Sequence, residues 1–307
     1  MKISILLAAA AVSIATFISS QAEEPSRKKL AQSIPAEVVF CARMDLVAAR
    51  KNEEANAILD AAGKKFKEKL DQIGQVSNLD LDNVDRIWVC VVKDKEALVI
   101  LEGKFDAQLI MDSPVVENAR KLPRLGALVA IEMKDERKGE LSQGVLINEN
   151  IVAFGLPRLV DKFIENYVDG KSGWDKDGLA VIDSLAASDA MFNISVMRLP
   201  RQEITQKPFL ANLVNASLGM NIVGKKISAT AEITMQDEEK AKALKDLVSG
   251  VVVLGITSEI KGEHPEIIKA IVDGLKLGND GRTATLSSGM DISHLRNFLR
   301  TKGLELD

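Results

Sequence analysis

Short runs of alternating apolar and polar residues recur along the chain, and this period of two predicts β-strands. The first run is EVVFCARMDL, residues 37–46. Residues 86–92 and 97–102 are apolar and rich in β-branched residues, and the charged turn KDKE between them predicts a hairpin. Further strands are predicted at residues 127–135, 190–199, 225–235 and 282–291, with a second hairpin at 144–155.

Apolar residues three and four positions apart predict helices that pack by one face. In residues 52–73 this stripe consists of Ala55, Ile58, Leu59, Ala62, Phe66, Leu70 and Ile73. Asp106 and Asp237 can accept hydrogen bonds from free amides at helix starts, and Pro157 suits a first helical position. Other helices are predicted at residues 106–122, 157–168, 179–187, 203–218, 237–254, 266–277 and 292–300.

The order of these elements partly repeats. AMFNISVMRL can be laid over EVVFCARMDL so that Met44 meets Met197, and both halves end with a strand, a break and an amphipathic helix. Because adjacent hairpins favour antiparallel sheets, we expect an α+β fold of two related units of largely antiparallel sheet covered by amphipathic helices. The charged, glycine-containing segment 169–178 indicates the boundary between a first unit, 34–170, and a second, 171–307.

The first residues predict export. One lysine precedes an uncharged run, and Ser20 and Ala22 form a small-x-small cleavage pattern, so residues 1–22 are interpreted as a cleaved signal peptide. An uncleaved anchor is the alternative, although the run is short for a membrane span, which needs roughly 20 apolar residues. Residues 23–33 are polar and are expected to form a mobile leader. The mature protein is expected to be soluble in the periplasm or outside the cell.

Composition narrows the class of protein. The chain has 307 residues, of which 46% are hydrophobic and 27% charged, as in ordinary globular proteins. Its formal net charge of −4 is small and negative, so a nucleic-acid partner is not expected. No segment after the signal is long and apolar enough to be a transmembrane helix; the best, residues 247–257, has eleven residues.

The two cysteines leave two readings open. In an exported chain Cys41 and Cys90 could form a disulfide, but whether their faces meet depends on strand order. Two separate buried thiols are the favoured reading, because free cysteine packs as a small hydrophobe.

Candidate chemistry is sparse. His264 and His294 have no cysteine near them, so a zinc site is not expected. SEIK at 258–261 and YVDGK at 167–171 have the spacing of catalytic motifs without the companion elements. DLDNVD at 80–85 fails the EF-hand pattern, and a polar turn is preferred to an irregular calcium site. For Trp88, sheet packing is preferred to a binding platform.

We therefore expect a noncatalytic exported protein that acts by binding or structural association with an unknown protein or cell-envelope partner. No catalytic, cofactor-binding or metal-binding residues are assigned. Two alternatives remain: a secreted hydrolase with residues gathered from distant loops, and a carrier of an apolar ligand beneath the helix predicted at 237–254.

Overall fold

A computed structural model describes residues 24–61, 81–92, 96–112, 120–121, 127–134, 141–197, 211–257 and 265–301. The predicted signal peptide at 1–22, the SEIK sequence at 258–261 and His264 lie outside these residues.

The strands of the described residues form one twelve-stranded sheet in which every neighbouring pair is antiparallel. Their bounds are β1 Phe40–Asp45, β2 Val84–Val91, β3 Ala97–Gly103, β4 Arg120–Lys121, β5 Val129–Lys134, β6 Leu141–Asn148, β7 Ile151–Gly155, β8 Phe192–Val196, β9 Leu213–Val223, β10 Lys226–Met235, β11 Lys276–Asp280 and β12 Thr283–Asp291. The order across the sheet is β11-β12-β10-β9-β8-β1-β2-β3-β7-β6-β5-β4.

Helices accompany this sheet, which confirms the predicted α+β class. Their bounds are α1 Glu24–Ser33, α2 Leu46–Arg50, α3 53–61, α4 Ala107–Met111, α5 Pro157–Asp169, α6 Lys176–Ala187, α7 Glu238–Thr257, α8 Pro265–Asp273 and α9 Ile292–Thr301. Within the described ranges, no helix has the length and apolar character needed to cross a membrane.

The two faces of the sheet differ in composition. Successive side chains of a strand point to opposite faces, and residues paired across an antiparallel ladder share a face. We call the face that carries Cys41, Trp88 and Cys90 the thiol face, and the face that carries Ala42, Val89 and Val99 the apolar face.

Helices α1, α5 and α6 cover the thiol face beside strands β1, β2, β3, β6 and β7. Leu30 and Ile34, together with Phe163 and Ile182 of α5 and α6, pack there against the buried side chain of Trp88 and its neighbours. Beyond β8 the same face is polar, and Ser228, Thr230 and Glu232 of β10 are exposed. The thiol face is therefore a core on one side of the molecule and a surface on the other.

The apolar face is packed by α2, α3 and α4 near β1–β3, and by α9 near β10. Helices α3 and α9 meet over Ile222 and Ile227, where Ile58 packs near Phe298. An ion pair of 3.1 Å between Glu54 and Arg296 also joins these two helices.

Several predicted elements are confirmed. The hairpin of β2 and β3 pairs Val89 with Val99, and β6 and β7 form the second hairpin. In β10 the predicted alternation holds, with Ile227, Ala229, Ala231 and Ile233 all less exposed than Ser228, Thr230 and Glu232.

The structure differs from the expectation in three places. The segment predicted as a mobile leader contains α1, because Leu30 and Ala31 reach the core. The helix predicted at 203–218 overlaps strand β9, whose apolar residues alternate from Ala216 to Ile222; residues 198–210 lie outside the described part. The predicted helix at 266–277 ends earlier, at Asp273, and strand β11 follows.

The predicted boundary at 169–178 is anchored to the core at Trp174. Trp174 is 6% exposed and belongs to the same core as α1, α5 and α6, and its Nε1 donates a 2.8 Å hydrogen bond to the Ile34 carbonyl. Because β1 pairs directly with β8, the described residues of both predicted units share one sheet.

Candidate functional site

Trp88 lies in the interior of the sheet. Its side chain has no exposed surface, and Nε1 donates a hydrogen bond of 2.6 Å to Glu102 Oε1 in β3. The predicted packing role is thus confirmed. The buried acid that accepts the indole proton was not expected from the sequence.

Four charged side chains surround this tryptophan, and we call Arg43, Asp45, Arg86 and Glu102 the ionic cluster. Arg86 Nε donates to Asp45 Oδ2 at 2.9 Å, and Arg86 Nη1 lies 3.8 Å from Glu102 Oε2. Two cations and two carboxylates leave the ionic cluster without formal net charge. Pairing of this kind is what permits charged groups to remain in a protein interior.

Arg43 joins the sheet to a helix. Its Nη1 donates to the Ala186 carbonyl at 2.9 Å, and its Nη2 donates to the carbonyls of Ser188 and, at 3.1 Å, Ala190. The guanidinium carbon is 6.0 Å from the Trp88 ring centroid. Because Ala186 lies in the last turn of α6, Arg43 holds the C-terminal end of that helix against β1.

Burial sets the ionisation of the ionic cluster. It raises the pKa of the Glu102 carboxyl, while the Trp88 hydrogen bond and the charge of Arg86 act in the opposite direction. Burial likewise lowers the pKa of the Arg43 guanidinium. Arg43 Nε and Arg86 Nη1 make no hydrogen bond, but the other contacts bind strand to strand and strand to helix. The arrangement is suited to holding the fold.

The sequence contained a signal for the ionic cluster. In β1, Arg43 lies on the same face as Cys41, and in β3, Glu102 lies on the same face as Leu98 and Ile100. Each charge therefore falls on a core-facing position. Which charges would meet depended on strand order, which the alternation does not reveal.

The remaining candidate residues do not converge. His294 is half-buried in α9, and Tyr167 of α5 is contacted by Lys29, whose Nζ lies 4.4 Å from the ring centroid. Asn193 and Asn215 each begin an N-x-S glycosylation sequon; Asn193 is buried in β8 and Asn215 is half-buried in β9. In the described ranges, no three histidine, cysteine, aspartate or glutamate side chains gather in a way that could hold a metal ion.

A continuous apolar row crosses the apolar face. It takes one residue from each of eleven neighbouring strands, paired in register from β11 to β5: Leu277, Leu286, Ala231, Leu218, Ile194, Ala42, Val89, Val99, Phe154, Gly144 and Ile131. Gly144 leaves room for the Phe154 ring, since an added Cβ would lie 3.2 Å from it. The adjacent row on the thiol face contains Ser195, Ser217, Glu232 and Thr285 across β8 to β12.

Around the middle of this row the helices cover the sheet incompletely, and the apolar side chains there are half-buried. We call this set the central apolar patch: Phe40, Met44, Val91, Val99, Phe154, Phe192, Ile194, Leu218 and Met220. It spans six strands and contains no charged side chain. A surface of this composition can bind an apolar partner without leaving a charge desolvated.

Cavities of the described residues also lie away from the patch. A cleft of about 790 Å³ lies beside α4, lined by Lys104, Leu109, Leu128 and Glu149 among others. A smaller one of about 250 Å³ beside α1 is lined by Lys28, Lys29 and Lys171. The cleft beside α4 mixes charged and apolar side chains, whereas the one beside α1 is lined by charged and polar side chains and a glycine.

Comparison with known proteins gives a fold likeness. The fold resembles the crystal structure of TP0453 in crystal form I, with a TM-score of 0.50, 7% identity, and coverage of 88% of this chain and 96% of that one. Crystal forms III and IV of the same protein give TM-scores of 0.48, with 9% and 10% identity. No protein-family model matches the sequence, and no curated protein matches it. At this identity the likeness describes the α+β architecture alone.

Proposed function

We propose that this chain is a noncatalytic exported protein that acts by binding or structural association through the central apolar patch. The observation that carries the proposal is the half-buried apolar surface over six inner strands, among them β8, β1 and β2. Inner strands have no free backbone edge, so this half-buried surface offers side-chain contacts rather than strand addition.

The partner in this proposal is a protein or cell-envelope component that presents apolar side chains. The charged groups at the centre of the sheet support this choice, because the ionic cluster lies on the opposite face and pairs internally. Burial of the patch by a partner would release water from apolar surface, at about 25 cal/mol for each Å².

Site-specific photo-cross-linking tests this proposal. Phe192, in the patch, is replaced in the native host by a benzophenone-bearing amino acid of similar shape; the matched position is Thr230, exposed on the thiol face. We expect an adduct of defined mass from position 192 and none from position 230. Equal yields at the two positions would refute the role of the patch.

A second pair of variants separates specific from incidental capture. Met220→Asp places a charge in the patch, whereas Thr230→Asp places one on the polar side of the paired strand. With the cross-linker at Phe192, the adduct should be lost in M220D and kept in T230D, with both variants folded by circular dichroism. Retention of the adduct in M220D would contradict the proposal.

Carriage of an apolar ligand is the second candidate, because the same patch consists entirely of apolar side chains. The ligand would then lie on the patch rather than beneath α7, where the sequence suggested it. Native mass spectrometry of the protein purified from its own compartment distinguishes the two. A small-molecule mass shift that M220D abolishes favours carriage, and a protein-sized adduct favours association.

We also propose that the chain arose by duplication of one unit. The strand order supports it: outward from the centre, β8-β9-β10-β12-β11 follows the same chain order as β1-β2-β3-β7-β6. Helices α5 and α9, which follow β7 and β12, pack on opposite faces, so the two units would have diverged in how they bury the sheet.

A further inference from the structure

Cys41 and Cys90 are directly opposite one another at the centre of the sheet. They pair in register between β1 and β2, and their Sγ atoms are 3.2 Å apart. Opposed residues of an antiparallel pair have Cα atoms about 4.5–5.5 Å apart, inside the roughly 4.4–6.8 Å that disulfides span. A bond between these sulfurs therefore requires rotation of side chains and no movement of strands.

The surroundings favour a permanent bond. Neither cysteine has exposed surface, and both lie in the core beneath α1 and α5 with Trp88 and Leu98. Burial, followed by contact with the Cys41 thiol, raises the pKa of the Cys90 thiol well above its usual value. Since thiolate is the reactive form, exchange in the folded protein is suppressed and the bond is best formed while the chain is still open.

We propose that Cys41 and Cys90 are joined by a cross-strand disulfide that forms as the exported chain folds. The oxidant is a small or protein-borne disulfide, such as oxidised glutathione. One cysteine thiolate attacks it, forming a mixed disulfide and releasing one glutathione thiolate; the second cysteine thiolate then attacks the mixed disulfide and releases the other. The two thiol protons end on the two glutathione molecules, and the two cysteines are oxidised as the oxidant is reduced.

The disulfide would tie β1 to β2 at a position where the neighbouring side chains of Trp88 and Leu98 have no exposed surface. It also closes a loop over the 49-residue separation between the two cysteines, which includes α2 and α3. The proposal stands independently of the patch, because it concerns the thiol face and can be tested with the purified chain alone.

The test starts from reduced, denatured protein comprising residues 23–307. It is refolded in a mixture of oxidised and reduced glutathione, then denatured and treated with iodoacetamide without reductant. The intact mass should be two hydrogen atoms below the dithiol value, without alkylation, and a peptide pair should link Cys41 to Cys90. Alkylation of both cysteines, or a disulfide between two chains, would overturn the proposal.

Thermal unfolding provides an independent measurement. The oxidised protein should melt roughly 5–10 °C above the reduced protein, a difference absent from a variant with Cys41→Ala and Cys90→Ala. The protein folded in the reduced state should oxidise at least about tenfold more slowly than it does during refolding, because its thiols are buried. An equal melting temperature in the two redox states would contradict the proposed bond. Equal oxidation rates would contradict its proposed timing.

Discussion

At the scale of single residues, the least expected feature is the carboxyl of Glu102 in the core. It accepts the Trp88 indole hydrogen and lies 3.8 Å from Arg86, so one acid hydrogen-bonds to one buried neighbour and balances the charge of another. Alternation along the strands predicted that Trp88 would be buried. It did not reveal its acceptor, because residues 14 positions apart become neighbours only through the β2–β3 register.

The raised pKa of Glu102 has a testable consequence for stability. A carboxyl with a higher pKa in the folded state binds its proton more tightly there. Its contribution to the free energy of unfolding is therefore complete below its unfolded pKa, about 4.3, and is lost as pH rises through the folded pKa. Glu102→Gln keeps an acceptor for Trp88 and cannot ionise. The free energy of unfolding of E102Q, relative to the parent, should therefore increase as pH rises from 4 toward 8.

Urea unfolding at several pH values measures this difference. Glu96→Gln is a suitable control, since Glu96 pairs with Arg158 at the surface, and its relative stability should not increase with pH. A difference between E102Q and the parent that stays constant with pH would show that Glu102 titrates alike in both states.

At the scale of elements, the strands were easier to predict than the segments that adjoin them in the sequence. Alternation was clear in β10, whereas β2 and β3 were recognised as apolar runs rich in branched residues on either side of a charged turn. In β9 the polar positions are Asn215, Ser217, Gly219 and Asn221, and the half-buried apolar positions between them carry the same period of two. When this run is joined to the preceding residues, the period of two is obscured, and a helix at 203–218 is wrongly predicted.

Helix α1 shows that the composition of a short segment does not reveal whether one of its residues is buried. Its charges suggested a loose leader, yet Leu30 is 1% exposed and packs in the same core as Trp88. We expect Leu30→Ala to lower the free energy of unfolding by about 2–5 kcal/mol, because a cavity remains where the side chain was. Chemical denaturation followed by tryptophan fluorescence measures this loss, since Trp174 contacts the residue that follows α1.

A neighbouring lysine on α1 provides the matched control. Lys28 is 60% exposed and pairs with Asp183 at 2.9 Å, so Lys28→Ala should cost less than about 1 kcal/mol. If both variants lose similar amounts, α1 would not depend on core packing.

At the scale of the whole molecule, one sheet carries two different environments. The apolar face keeps its character across eleven strands, while the thiol face changes from core to surface near β8. The sequence could predict the α+β class because both faces obey alternation. It could not predict a single sheet, because the pairing of β1 with β8 joins residues about 150 positions apart.

Export can be tested at the start of the mature chain. If cleavage follows Ala22, the mature protein begins at Glu23, one residue before α1, and the complete helix is retained. N-terminal sequencing of the protein recovered from the cell envelope and from the medium should give EEPSRK. A first residue of Met1 would support the uncleaved anchor, and a start within α1 would contradict the proposed cleavage site.

The ends of the sheet bear on how the protein avoids polymerising. An open sheet has two outer strands whose backbone groups could recruit another molecule and seed fibrils. Among the described residues, β4 comprises Arg120 and Lys121, while β11 has five residues and carries Lys276 and Asp280 at its ends. A second molecule that paired with either of these strands would have to desolvate their charged side chains. The charges therefore oppose growth of the sheet from one copy of the protein into another.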